Sequence, residues 1–121
     1  MNKVIYWAAP LFNEIELARN KECVGKLREN GYIVYLPQEA GLCSNGLDPI
    51  KAYEQDIEAL KACDVVIACA LGTRYDPGTM FEVGYASCLG KKVIIYGSVS
   101  NAMFSRLPQT GSLDEIITKI L

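Results

Sequence analysis

Two carboxylates stand six residues apart in Asp76-Pro77-Gly78-Thr79-Met80-Phe81-Glu82, across a proline-glycine turn that reads as the opening of a helix. Carboxylates that face one pocket from such a turn suit chemistry on a glycosidic bond. Breaking a C–N glycosidic bond with retention needs one carboxylate as nucleophile, to trap an oxocarbenium-like sugar, and a proton donor to make the base a better leaving group. A helix N-terminus would favour the ionised form of the nucleophile. The same residues admit a structural assignment, because Thr79-x-x-Glu82 is also a capping box in which Glu82 returns a hydrogen bond to the backbone of Thr79. Tyr6 and Asp64 are the other polar groups near strand ends. Each has its own alternative, Tyr6 as a core aromatic with a satisfied hydroxyl and Asp64 as an aspartate that bonds a turn. Asn101-Ala102-Met103-Phe104 reads as a surface turn with two packing residues, or as part of a subunit interface if Met103 and Phe104 are exposed.

The elements that must position these groups follow from hydrophobic patterning. Val4 to Ala8 is a continuous apolar run ended by Pro10, as in a strand buried on both faces of a parallel sheet. Glu14 to Asn30 is amphipathic and stops at Asn30-Gly31, which predicts a first helix. Tyr32 to Leu36 predicts a second strand, and Pro37 to Pro49, with Gly41, Asn45, Gly46 and Asp48, a long loop. Asp48-Pro49 opens a helix that carries Ile50, Tyr53, Ile57 and Leu60 to Cys63. Asp64 to Ala70 predicts a third strand, Thr79 to Leu89 a helix closed by Gly90, Val93 to Tyr96 a fourth strand, and Leu113 to Ile120 a terminal helix. The alternation implies an α/β, single-domain, Rossmann-like (flavodoxin-like) parallel sheet of four or five strands with helices on both faces, spanning residues 1–121. In such sheets ligands sit at the carboxyl ends of the strands.

Composition narrows the partners. The chain has 121 residues, is 50% hydrophobic and carries a net charge of -2. Its cations are scattered, so no electrostatic footprint for nucleic acid is expected. The cysteines at 23, 43, 63, 69 and 88 never take C-x-x-C spacing and histidine is absent, so neither a metal nor a cofactor is expected and the thiols read as reduced. With no apolar stretch long enough for a membrane span and no leader before the first strand, a soluble cytoplasmic protein is expected. No G-x-G-x-x-G follows the first strand, against a dehydrogenase.

Taken together, Tyr6 to Phe12, Cys63 to Ala68, Asp76 to Ala86 and Asn101 to Phe104 resemble the nucleoside 2-deoxyribosyltransferase family, in the right order over nearly the whole chain. The D-x-G-T-x-x-E-x-G-x-A segment is the most specific part. The resemblance implies that Glu82 is the nucleophile of a deoxyribosyl-enzyme ester and that Tyr6 positions its carboxylate. It implies that Asp64 stands near the departing base as a candidate general acid and that Asp76 holds sugar hydroxyls. Phe12 and Leu11 fall where the family lines the base pocket, Gln38 where an amide would read the base edge, and Gly78 and Met103 among further substrate contacts. Asn101 matches an asparagine that reaches a neighbouring active site, which implies a homo-oligomer, dimer or hexamer. The implied partners are 2'-deoxynucleosides and free nucleobases. The nearest rival is a 2'-deoxynucleoside 5'-monophosphate N-hydrolase. The first loop, with no side-chain phosphate donor, and Asn101 both argue for the unphosphorylated substrate. A non-catalytic nucleoside-binding module is the alternative from another class.

Overall fold

The computed structural model describes residues 3–40, 48–72 and 74–121. Cys43 and the Gly41, Asn45 and Gly46 of the expected long loop lie outside the described residues. Among the described residues, five strands form one all-parallel sheet in the order β2-β1-β3-β4-β5: β1 Val4–Ala8, β2 Ile33–Tyr35, β3 Val65–Ala70, β4 Lys92–Gly97 and β5 Gln109–Thr110. Among the described residues, four α-helices accompany them, α1 Glu14–Glu29, α2 Pro49–Ala62, α3 Pro77–Cys88 and α4 Leu113–Glu115, the last continuing as a π-helical turn over Ile116–Ile120.

The expected α/β architecture is therefore present, with helices on both faces. Alternation along β1 assigns the faces: Ile5 and Trp7 join Val24 and Leu27 of α1 and Leu113 and Ile116 at the C-terminus. Tyr6 and Ala8 point the other way, into the core that holds Leu60 of α2 and Val83 and Ala86 of α3. Strands buried on both faces read as continuous apolar runs, which is why they were legible in the sequence.

Local chemistry sets the helix limits. Asn13 caps α1 by accepting from the Glu16 N–H at 2.8 Å, and α1 ends before Gly31, whose φ of +90° an L side chain rarely adopts. Asp48 caps α2 with Pro49 in its first turn, as expected, and Gly90 (φ +75°) follows the end of α3. The two-residue β5 has no periodicity to announce it. It is held to β4 by Ile95 N–H donating to Pro108 O at 2.8 Å.

Strand order reverses between β1 and β3, since β2 lies outside β1 and β4 outside β3. Their carboxyl ends open a crevice at that switch point. The β4 backbone closes on β3 there, and a Cβ at Gly97 (φ +120°) would stand 2.1 Å from Ala70 O. Gly97→Ala is expected to cost about 3 kcal/mol and lower the unfolding midpoint by about 10 °C. Thermal unfolding followed by circular dichroism checks this, and an unchanged midpoint would remove the steric argument.

Candidate active site

Asp76 starts α3. Its Oδ2 accepts from the Thr79 N–H at 2.9 Å and the Thr79 Oγ at 2.7 Å, the geometry of an N-cap. Both bonds fall on Oδ2. Because Asp76 caps, Glu82 is not used as the return arm of a capping box. It stands on the second turn of α3, and its carboxylate accepts a hydrogen bond from the Tyr6 hydroxyl. The expectation that the helix N-terminus favours ionised Glu82 is corrected by this placement, since the dipole's influence falls off within the first turn. The support comes instead from a phenol on an interior strand of the sheet.

Tyr6 has no exposed surface. It lies in register with Tyr35 of β2 and Val66 of β3. Burial, then the neighbouring Glu82 charge, keeps its phenol protonated well beyond the ordinary range, so it acts as a donor. Burial pushes the Glu82 carboxyl up to about 8. The Tyr6 hydrogen bond works against that rise, and the charges of Asp56 and Asp76 add to it.

Glu82 lies on the wall of a cavity of about 600 Å³ at the switch point. Leu11 and Phe12 enter it from the end of β1, Tyr53 and Asp56 from α2, and Asp76, Gly78 and Phe81 from α3. The rings of Tyr53 and Phe81 lie 6.2 Å apart, and Phe81 stacks on Tyr85 at 6.3 Å. With Phe12 exposed over 76% of its surface, the mouth offers aromatic faces to a planar ligand while the carboxylates sit deeper. Among the described residues, no three His, Cys, Asp or Glu side chains come together as a metal site would require.

Asp56 was not anticipated. Its carboxyl is raised by burial and drawn partly back by the hydroxyl of Tyr35, which donates to Oδ1 at 3.1 Å. The signal was present in the sequence: Pro49, Ala52, Tyr53, Asp56, Ile57 and Leu60 recur at helical spacing along one stripe of α2, and all line the cavity. A carboxylate inside an apolar stripe is a buried charge that needs a reason.

Other expected site residues lie elsewhere. Asp64 precedes β3 at its amino end, exposed, and accepts from the Val4 N–H at 2.8 Å. In a parallel sheet that is the edge opposite the crevice, so Asp64 ties two strand starts together away from the cavity. The Gln38 amide is likewise committed. Its Oε1 accepts from Asn20 at 3.1 Å and its Nε2 donates to Leu17 O at 3.0 Å, so it joins the turn at Pro37–Ala40 to α1 and does not line the cavity. Asn101 caps a short 3-10 turn by accepting from the Met103 N–H at 2.8 Å. Neither Asn101 nor Met103, which is 87% exposed, lines this chain's own cavity.

Residues 5–116 match a family model described as nucleoside 2-deoxyribosyltransferase. Among solved structures, the chain is similar to a 2-deoxyribosyltransferase from the psychrotolerant bacterium Bacillus psychrosaccharolyticus, with a TM-score of 0.83 and 24% identity over 95% of this chain and 90% of that one. It is similar to the CMP N-glycosidase BcmB of Clostridium botulinum, with a TM-score of 0.69 and 24% identity over 98% and 97% of the two chains. It is also similar to the 2-desoxiribosyltransferase from Leishmania mexicana, with a TM-score of 0.65 and 26% identity over 86% and 70%. A search of curated proteins gave no significant match.

The Tyr6 bond has a signed consequence. A phenol donating to a carboxylate favours the ionised form, so Tyr6→Phe is expected to move the Glu82 titration above its value of about 8. Carbon NMR of protein labelled at glutamate reads this. A midpoint that stays or falls would show that the hydroxyl does not support the anion.

Proposed function

Because the chain belongs to the nucleoside 2-deoxyribosyltransferase family, we propose that it transfers 2'-deoxyribose between nucleobases with Glu82 as the nucleophile. The observation that carries this reading is the buried Tyr6 to Glu82 hydrogen bond on the wall of an aromatic-mouthed cavity that also holds Asp56 and Asp76. Two carboxylates in one buried pocket resist ionising together. In the reactive form Glu82 is the anion and Asp56 keeps the proton. A Glu82 oxygen bonds to C1' of the deoxyribose as the C1'–N bond breaks, the bonding pair leaves with the base, and the Asp56 proton neutralises it. A second base then attacks C1', returns a proton to Asp56 and frees the Glu82 carboxylate. Asp76 Oδ1 is the acceptor for a sugar hydroxyl. Every role in the step is filled by a side chain.

In this proposal Asn101 serves a neighbouring copy of the chain. It is exposed, outside its own cavity, and its segment is fastened by Ser100 N–H donating to the Tyr75 hydroxyl at 3.1 Å. The proposal is a homo-oligomer, dimer or hexamer, in which Asn101 and Met103 complete the site of the next subunit.

A second reading, hydrolysis of a nucleoside 5'-monophosphate, has one observation in its favour. Arg19 and Arg74 line, with Glu16, a cavity of about 70 Å³ that adjoins Asp76 on its other side. Guanidinium groups there suit a phosphate on the sugar's 5' end.

Deoxyinosine incubated with adenine should yield deoxyadenosine and hypoxanthine by chromatography. Free deoxyribose without exchange, above all from the 5'-monophosphate, would replace the transferase reading with the hydrolase. Glu82→Ala and Asn101→Ala should each lose activity, the first by more than about a thousandfold. After random mixing of equal amounts of the two variants about a quarter of all sites regain both groups if the residues act across subunits. No recovery in verified mixed oligomers would place Asn101 outside the site.

A further inference from the structure

Tyr35 does not line the cavity, yet it is bonded to one of its carboxylates and stacked against the residue that holds the other. Its ring lies 5.3 Å from that of Tyr6, with planes 21° apart. From β2 its hydroxyl donates to Asp56 Oδ1 at 3.1 Å, while on β1 the hydroxyl of Tyr6 donates to Glu82. The register that pairs Tyr6 with Tyr35 thus sets two phenols side by side under two carboxylates, each phenol committed to one acid.

A carboxylic acid that delivers a proton in one direction must carry it on one oxygen. An acid free to rotate, or to hold the proton on either oxygen, spends part of its time aimed elsewhere. We propose that Tyr35 is a positioning residue for the proton donor: by donating to Oδ1 of Asp56 while stacked on Tyr6, it leaves Oδ2 as the oxygen that carries the proton into the cavity. The inference rests on the reading of Asp56 as the donor to the departing base. In the step, the Oδ2–H bond breaks as a ring nitrogen of the base takes the proton, and Oδ1 keeps the Tyr35 hydrogen bond before and after. The titratable groups that face Asp56 are Tyr35 from β2, Glu82 from α3 and, behind Glu82, Tyr6 from β1.

The test compares two donors. Hypoxanthine in deoxyinosine leaves well only when protonated, whereas the base of 7-methyl-2'-deoxyguanosine departs as a neutral molecule without gaining a proton. Rates are measured against pH for the wild type, Asp56→Asn and Tyr35→Phe, the last keeping the stacked ring and checked for folding by circular dichroism. Tyr35→Phe is expected to lower kcat on deoxyinosine about tenfold, with KM within about twofold, and to spare the 7-methyl donor. Its descending pH limb should move to higher pH, because losing a donor to the carboxylate favours the acid form. Equal losses on both donors, or a limb that does not move, would reduce Tyr35 to a packing residue while a selective loss in Asp56→Asn leaves the donor reading intact. Wild-type activity of Asp56→Asn on deoxyinosine would overturn the donor reading itself, and the role of Tyr35 with it.

Discussion

A phenol with no exposed surface donates to a carboxylate on a helix 76 positions away in the chain, and most of the architecture serves that contact. Neither group would settle there unaided. Ionising a buried carboxylate is unfavourable, and burial pushes the Glu82 carboxyl up to about 8. The sign for stability follows. A carboxyl whose folded value lies above its unfolded one helps the fold fully below the unfolded value and loses that contribution as pH rises through the folded one. Forming the Glu82 anion therefore works against folding across that interval. The Tyr6 hydroxyl offsets part of this cost, and the β1 strand that presents it is buried on both faces.

Around that contact the site divides its duties. Asp76 spends one oxygen on starting α3, which fixes where Glu82 falls on the second turn. Asp56 comes from α2, the helix packed beside α3, and Tyr35 answers it from β2. The three carboxylates thus come from two helices. The two phenols that meet two of them come from adjacent strands in register. Because the pleat turns alternate residues to opposite faces, a one-residue slip of β2 against β1 would put Tyr35 on the wrong side of the sheet.

Much of this was legible before the fold was known. Continuous apolar runs announced β1, β3 and β4, Asn30-Gly31 and Gly90 announced helix ends, and the turn from Asp76 to Glu82 announced a paired acidic site. The misplacements have physical causes. Asp64 lies between α2 and β3, and the start of a parallel strand faces away from the crevice at the strands' carboxyl ends. Asp56 sits among apolar residues of α2 whose spacing is that of a packing stripe, which masks the one carboxylate within it. Gln38 has an amide suited to reading a base, but its partners on α1 are brought to it by tertiary packing that no local pattern encodes. The strand β5 is too short to carry a period.

In the proposed reaction Glu82 becomes covalently bonded to the sugar. The most direct test is to incubate the protein with a 2'-deoxynucleoside in the absence of an acceptor base, quench rapidly with acid, and read the intact mass followed by the mass of each peptide. A gain of one deoxyribosyl group is expected on the peptide that holds Glu82, lost when fresh nucleobase is added before the quench and absent in Glu82→Gln. An adduct that maps to Asp56 or Asp76, or continued base exchange with no adduct under quench conditions that preserve such esters, would contradict the proposed reaction.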